Sequence, residues 1–332
     1  QALARLFERK LLSCLAQGDF CAYRFYLNQE RLRFRGFDAP VRKGVPGFIP
    51  PGRATAESRL AEFLHQNGLD DCFVPDAAGW SPLCYAALRG DPEVVEALLA
   101  KKADPDDQIY QAKLDWHMHN RMSVLQISAY CRNEEVLKLL LAARAAVDAA
   151  DSRGSTALHW AMISNHVEGI RLLCEAGADA EAECEPGSTP LSVGACMGSV
   201  EAMRELITQR PALGLEDLLH SALRMRAGMR CIPFLLEARA DINEQFHTRQ
   251  FSTWSVVWNG LTFKHWLTPS RSSTVAYQHS GATPLMFSVL TGNVAAATLL
   301  VGYGARLDLR NDQQKTALDL AREVGAPTVV QE

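Results

Sequence analysis

Nearly half of the 332 residues are hydrophobic, 48%, which is enough for a large core, and the length alone would fit two domains. A net charge of -4 argues against any general attraction to nucleic acid, and no apolar run approaches the roughly 18 residues of a membrane span. Nine cysteines, an odd number scattered at positions such as Cys84, Cys131, Cys174 and Cys196 without paired spacing, read as reduced side chains of a cytoplasmic or other reducing intracellular protein. No signal peptide opens the chain, and a start at Gln1 without Met suggests a portion of something longer.

Taken in order, Leu3 to Gln17 and Phe20 to Asn28 are expected to form two helices around the turn Gly18-Asp19, an atypical end cap of the kind a stacked array needs. Arg31-Leu-Arg-Phe-Arg35-Gly-Phe37 reads as a solvated basic arm, and Pro40 to Gly52, with four prolines and three glycines, as a linker. Thr55 to Asn67 is helical, with Phe63-Leu64 placed as a core pair. Beyond it a short pattern recurs. Ser81-Pro82-Leu83, Ser123-Val124-Leu125, Thr156-Ala157-Leu158, Thr189-Pro190-Leu191, Thr283-Pro284-Leu285 and Thr316-Ala317-Leu318 occupy one slot, and the steps Ser123–Thr156–Thr189 and Thr283–Thr316 are each 33 residues.

A second marker runs in phase: Leu98, Leu140, Leu173, Leu206, Leu235 and Leu300 each stand five residues before Ala103, Ala145, Ala178, Pro211, Ala240 and Ala305. Asp151 to Asp179 is the clearest unit. Asp151 and Gly154 suit a reversing turn, Thr156 is placed to cap a first helix, Leu172 and Leu173 should pack a second, and Gly177 should end it with a positive φ. His159 reads as a hydrogen-bonded structural residue. The copy from Leu213 to Asn243 has lost the motif in its first helix, Leu218-Leu219-His220-Ser221-Ala222, but keeps a leucine pair and Ala240-Asp241.

With its 33-residue period and Thr-Pro-Leu-His-x-Ala pattern, the stretch from about Gly68 to Val324 resembles the ankyrin-repeat family. The resemblance implies an all-α solenoid of helix-turn-helix units joined by hairpin-like loops, with an atypical helical N-terminal cap. The expected organisation is a cap and Pro/Gly-rich loop at 1–53, a solenoid at 54–325 with insertions at about 106–120 and 244–280, and a tail at 326–332. It also implies a non-catalytic scaffold that binds a partner protein, and no phosphate loop, nucleophile elbow or metal-spaced His set contradicts this.

Mapping the family's variable positions onto this chain picks Trp80, Leu88, Arg89, Met122, Tyr130, Cys131, Arg153, Ile163, Cys196, Met197 and Leu290 as the lining of a concave groove. Their apolar character fits an interface, occupied by a partner or covered by the chain's own insertions. In the first insertion His117 and His119, with Trp116, read as a surface loop and not a metal site, so no cofactor or metal is expected.

The second insertion holds Phe251, Trp254, Trp258, Trp266 and Tyr277, with Arg249, Lys264 and Arg271 and no acid between Glu244 and Asp308. It is expected to fold back as a satellite core. The alternative is a basic, aromatic surface for a partner, an anionic ligand or the face of an anionic membrane. The partner expectations are thus a protein, peripheral membrane contact through this insertion, no nucleic acid and no transmembrane segment.

Overall fold

A computed structural model describes residues 56–76, 79–110, 119–185, 187–224, 227–247 and 271–324. The expected end cap and linker at 1–53, the tail, Trp116 and His117, and the insertion residues Arg249, Phe251, Trp254, Trp258, Lys264 and Trp266 lie outside the described residues, as does the side chain of Arg271. Among the described residues there are helices and isolated bridges but no strand.

The helices come in pairs. After α1 (Ala56–Asn67), α2 (Pro82–Arg89) pairs with α3 (Pro92–Ala100), α4 (Val124–Cys131) with α5 (Glu134–Ala142), α6 (Ala157–Ile163) with α7 (Val167–Glu175), and α8 (Pro190–Met197) with α9 (Val200–Gln209). Next come α10 (Leu218–Leu223), a 3-10 turn (Ala227–Arg230) and α11 (Cys231–Glu237). The chain ends through α12 (Arg271–Gln278), the pair α13 (Pro284–Thr291) and α14 (Val294–Gly302), and α15 (Ala317–Glu323).

The recurring Ser/Thr is a helix cap. Ser81, Ser123, Thr189, Thr283 and Thr316 each accept a bond from the backbone N–H three residues on, which satisfies one of the donors left free in a first turn. At Thr156 the cap runs the other way, because Nδ1 of His159 accepts from the Thr156 N–H at 3.1 Å.

The Leu-to-Ala marker also has a physical cause. The N–H groups of Ala103, Ala145, Ala178, Ala240 and Ala305 donate to the carbonyls of Leu98, Leu140, Leu173, Leu235 and Leu300, the bond that closes a helix in the Schellman manner. That closure needs a left-handed residue just before the alanine, and Lys102, Arg144, Gly177, Arg239 and Gly304 all have positive φ. Pro211 has no N–H to give, and there Arg210 closes onto Leu206 instead.

Two layers result. The first helices of successive pairs pack in an unbroken row, α2–α4–α6–α8–α10–α13–α15, and the second helices in a parallel row, α1–α3–α5–α7–α9. Helix α1 therefore sits as the second helix of a partial repeat, with Phe63 buried and Leu64 partly so. Leu83, Leu125, Leu158, Leu98, Leu140 and Leu173 fill the space between the rows. Leu172, expected beside Leu173 in the core, is only half-buried.

Polar side chains tie one repeat to the next. His159 Nε2 meets the Ser188 carbonyl of the following repeat at 3.0 Å. In the preceding repeat Gln126 fills the same slot, its Oε1 accepting from Ser123 N–H at 2.8 Å and its Nε2 donating to the Ser155 carbonyl at 2.6 Å. The structural role expected for His159 is thus observed, and a glutamine performs it where the histidine is missing.

Candidate functional site

The hairpin ends and first helices are where the family's ligands would be expected, and the hairpins here form a bonded ledge. Tyr110 N–H donates to the Gly79 carbonyl at 3.2 Å, Ser152 to Asn120 at 2.9 Å, Glu185 to Arg153 at 2.8 Å and Asp312 to Ser280 at 3.1 Å. Gly79 has a φ of +73°, and a Cβ on it would stand 2.8 Å from the Cβ of Tyr110, so only glycine lets these two hairpins approach.

Most of the groove residues expected from the sequence are not on the surface. Trp80 and Met122 are 0% exposed, and Leu88, Ile163, Cys196 and Leu290 are also buried. The physical reason is the neighbouring repeat. Leu88, Tyr130, Ile163, Cys196 and Leu290 occupy equivalent positions late in the first helix, where an apolar side chain can turn against the adjoining first helix instead of outward. Trp80 is held in place by its own hairpin, with its N–H donating to Asp76 at 2.8 Å and its ring 5.5 Å from that of Tyr85. These six residues are core as the protein stands.

The remaining five keep access to solvent. Arg89, Tyr130, Cys131 and Met197 are half-buried and Arg153 is exposed. Tyr130 meets Trp160 edge-on at 5.3 Å between ring centroids, and Trp160 also faces His119 at 5.5 Å. This aromatic run links the end of α4 to the hairpin. Trp160 is anchored by its indole N–H on Asp151 at 3.1 Å, and burial pushes the Tyr130 phenol up, so Tyr130 is neutral. Burial also lowers His119, which stays uncharged near neutrality.

Arg89, Arg121, Arg132 and Arg153 stand along the hairpins and the ends of α2 and α4, and none is in an ion pair among the described residues; Arg89 lies over the Phe63 ring at 5.6 Å. The nearby acids are engaged internally: Asp76 holds Trp80 N–H and the Tyr85 hydroxyl, while Asp151 holds Trp160 and the N–H groups of Arg153 and Ser155. On the second helices, by contrast, Lys138 is paired with Glu134 and Glu135, and Arg171 with Glu168 and Glu205.

The seven described cysteines are free thiols, and burial drives Cys84 and Cys231 up to about 12, which leaves them unreactive. No described helix is long and apolar enough to cross a membrane.

Comparison with known proteins agrees with the architecture. Residues 78–109 match the ankyrin repeat model and residues 108–184 the model for ankyrin repeats in three copies. The chain is 23% identical over 304 residues to a putative palmitoyltransferase, ZDHHC13, of Danio rerio, covering 89% of this chain and 39% of that protein. It is 32% identical over 139 residues to neurogenic locus notch homolog protein 1 of Xenopus tropicalis, covering 42% of this chain and 5% of that one. It thus spans well under half of either relative.

Among solved structures, the human ASB11 ankyrin repeat domain superposes with a TM-score of 0.52 at 25% identity, over 73% of this chain and 91% of that one. The ankyrin repeat domain of Bcl-3 gives 0.53 at 21% identity, over 76% and 97%, which bears on fold alone. Such repeats are generally protein-interaction modules and the fold is typically non-catalytic. With its paired helices, bonded hairpins and capped 33-residue units, this chain is an ankyrin-repeat protein.

Proposed function

We propose that the chain is a non-catalytic protein-binding module that takes an acidic, partly apolar segment of a partner along the hairpins and first helices of its first three full repeats. The observation that carries this reading is the set Arg89, Arg121, Arg132 and Arg153, in no ion pair among the described residues and borne by the same repeats as half-buried Tyr130, whereas Lys138 and Arg171 on the second helices are paired with acids. Guanidinium groups recognise carboxylates through paired N–H donors, and an aromatic ring next to them supplies apolar contact area. Exposed Phe73 and Tyr110, at 53% and 59%, extend the apolar component at the hairpin end of the first repeat.

The test is selection of peptides from a random displayed library on the full chain, followed by affinity measurement of the enriched sequences. Acidic peptides should emerge, should bind more weakly at high salt, and should lose at least about tenfold on Arg153→Glu or Arg132→Glu, in keeping with truncation costs at interface anchors. Enrichment of peptides without acids, or affinities untouched by both reversals, would overturn the reading.

A further inference from the structure

The fifth repeat carries a site that its loss of consensus conceals. Asp217-Leu-Leu-His220-Ser-Ala222 lies in the slot of Thr156-Ala-Leu-His159-Trp-Ala161, with His220 matching His159. Its Nε2 does what that of His159 does, meeting the carbonyl of the next repeat, Ala282, at 2.9 Å. A carbonyl only accepts, so the proton is on Nε2 and Nδ1 presents a lone pair. In the third repeat that lone pair receives the Thr156 N–H. In the fifth it cannot, because Asp217 has turned to a φ of +60° and its N–H donates to Oε2 of Glu244 at 2.9 Å. Nδ1 of His220 is left buried and without a hydrogen-bond partner, in a side chain only 2% exposed.

Two carboxylates stand close to the ring. One ring nitrogen of His220 and one carboxylate oxygen from each of Asp217 and Glu244 lie within 4.8 Å of one another. Since Nε2 is turned to the next repeat, the available nitrogen is Nδ1. A buried lone pair beside two carboxylates is stabilised by something positive between them.

We propose that Asp217, His220 and Glu244 bind a divalent first-row transition cation of the Zn2+ class, through Nδ1 of His220 and one oxygen of each acid, with water filling the remaining positions. One imidazole and two carboxylates form a borderline-to-hard set that suits such ions. Bonds of about 2.0–2.2 Å require the three ligand atoms to draw together to roughly 3.5 Å, an adjustment within reach of two half-buried acids. The Ala282 carbonyl is the outer partner that fixes the ring's tautomer, as commonly found for metal-bound histidine. Phe246 and Phe287, at 5.3 and 6.1 Å from the ring, pack beside it. The ion would fasten the chain at Glu244, where the long insertion begins, to the first turn of α10.

The experiment is titration of the full, metal-free chain with Co2+ and with Zn2+, followed by calorimetry, visible absorption and melting temperature. We expect one equivalent bound, a higher melting temperature reversed by chelator because only the folded chain holds the site, and tighter binding from pH 6 to 8 as the cluster sheds its proton. Glu244→Gln keeps an oxygen for the Asp217 N–H, so the metal-free variant should melt as the parent does while binding at least about tenfold more weakly, since even outer partners are worth that much. His220→Asn should behave likewise towards the metal. Absence of stoichiometric binding, binding equal in parent and Glu244→Gln, or a Co2+ spectrum with the strong near-ultraviolet band of thiolate ligation would each overturn the assignment.

Discussion

The third and fifth repeats solve the same structural problem with different atoms. In the third, Thr156, His159 and Ser188 form a closed relay: backbone N–H to Nδ1, and Nε2 to the next repeat's carbonyl. In the fifth, the outgoing bond survives from His220 to Ala282, but the incoming one is diverted to Glu244. The second layer differs too. Helix α7 lies in the row between α5 and α9, whereas α11 packs chiefly on α10 and the 3-10 turn. The fifth repeat is therefore coupled to the stack mainly through its first helix, which teaches that one layer suffices to carry a solenoid past a divergent unit.

The largest test of this contrast removes the buried leucine at the same position in each repeat. Leu173 and Leu235 are both fully buried. Leu173→Ala leaves a cavity between well-packed second helices and should cost about 4 kcal/mol, towards the upper part of the usual range, while Leu235→Ala, whose helix has fewer second-layer neighbours to hold a cavity open, should cost about 2 to 3 kcal/mol. Denaturant melts of the two variants check this. Equal losses would mean that the second layer is as tight at α11 as at α7.

Much of this architecture was legible because its sequence markers are themselves bonds. Leucine followed five residues later by alanine is a helix-closing hydrogen bond, and Ser/Thr before Leu is a cap. Such local chemistry depends on spacing alone. Accessibility does not. Leu88, Tyr130, Ile163, Cys196 and Leu290 share one register, yet only Tyr130 stays half-open, because what covers each is the neighbouring repeat. The fifth repeat was legible as a degenerate copy, but not its match to the consensus slot: Asp217 is an N-cap residue type, and Leu219, His220 and Ala222 stand where Leu158, His159 and Ala161 do in the third repeat. The turn that orphans Nδ1 is tertiary and leaves no trace in spacing.

A second test acts on the relay itself. His159→Ala strands the Thr156 N–H and leaves the Ser188 carbonyl with the Cys184 N–H alone, and should cost about 2 to 3 kcal/mol; His220→Ala, measured with chelator, strands no group, since the Ala282 carbonyl keeps the Phe246 N–H, and should cost about 1 kcal/mol. His159→Gln should restore most of the loss, because Gln126 already makes both bonds in the second repeat. The same variant separates hydrogen bonding from charge. Burial lowers the pKa of His159, so the folded chain keeps it neutral while the unfolded chain protonates it below about 6.5. Stability from this residue is thus complete above that pH and falls as the pH drops. His166, also lowered by burial, adds a slope of the same sign. Urea melts between pH 7 and pH 5 should show a shallower decline for His159→Gln than for the parent, and an unchanged decline would assign the acid sensitivity elsewhere.

The smallest effect lies at the helix ends and carries the comparison down to a single backbone angle. Gly177 closes α7 with a φ of +88°, and Arg239 closes α11 with a φ of +70°. Both residues precede the alanine whose N–H makes the closing bond, so both repeats demand the left-handed conformation, which costs an L-residue about 1 to 2 kcal/mol and glycine almost nothing. No atom lies within 4 Å of where a Cβ on Gly177 would stand. Gly177→Ala therefore meets no clash, and its cost should be the backbone term alone, about 1 kcal/mol of destabilisation. Arg239→Gly should move the other way by a little less, since relief of the left-handed strain is partly offset by the freedom glycine adds to the unfolded chain. Melting temperatures of the two single variants and of the pair decide the matter. The sites stand in separate repeats and share no partner, so the paired variant should fall near the sum of the two; a Gly177→Ala variant as stable as the parent would show that the α7 terminus relaxes out of the left-handed region and that its closing bond to Leu173 is dispensable.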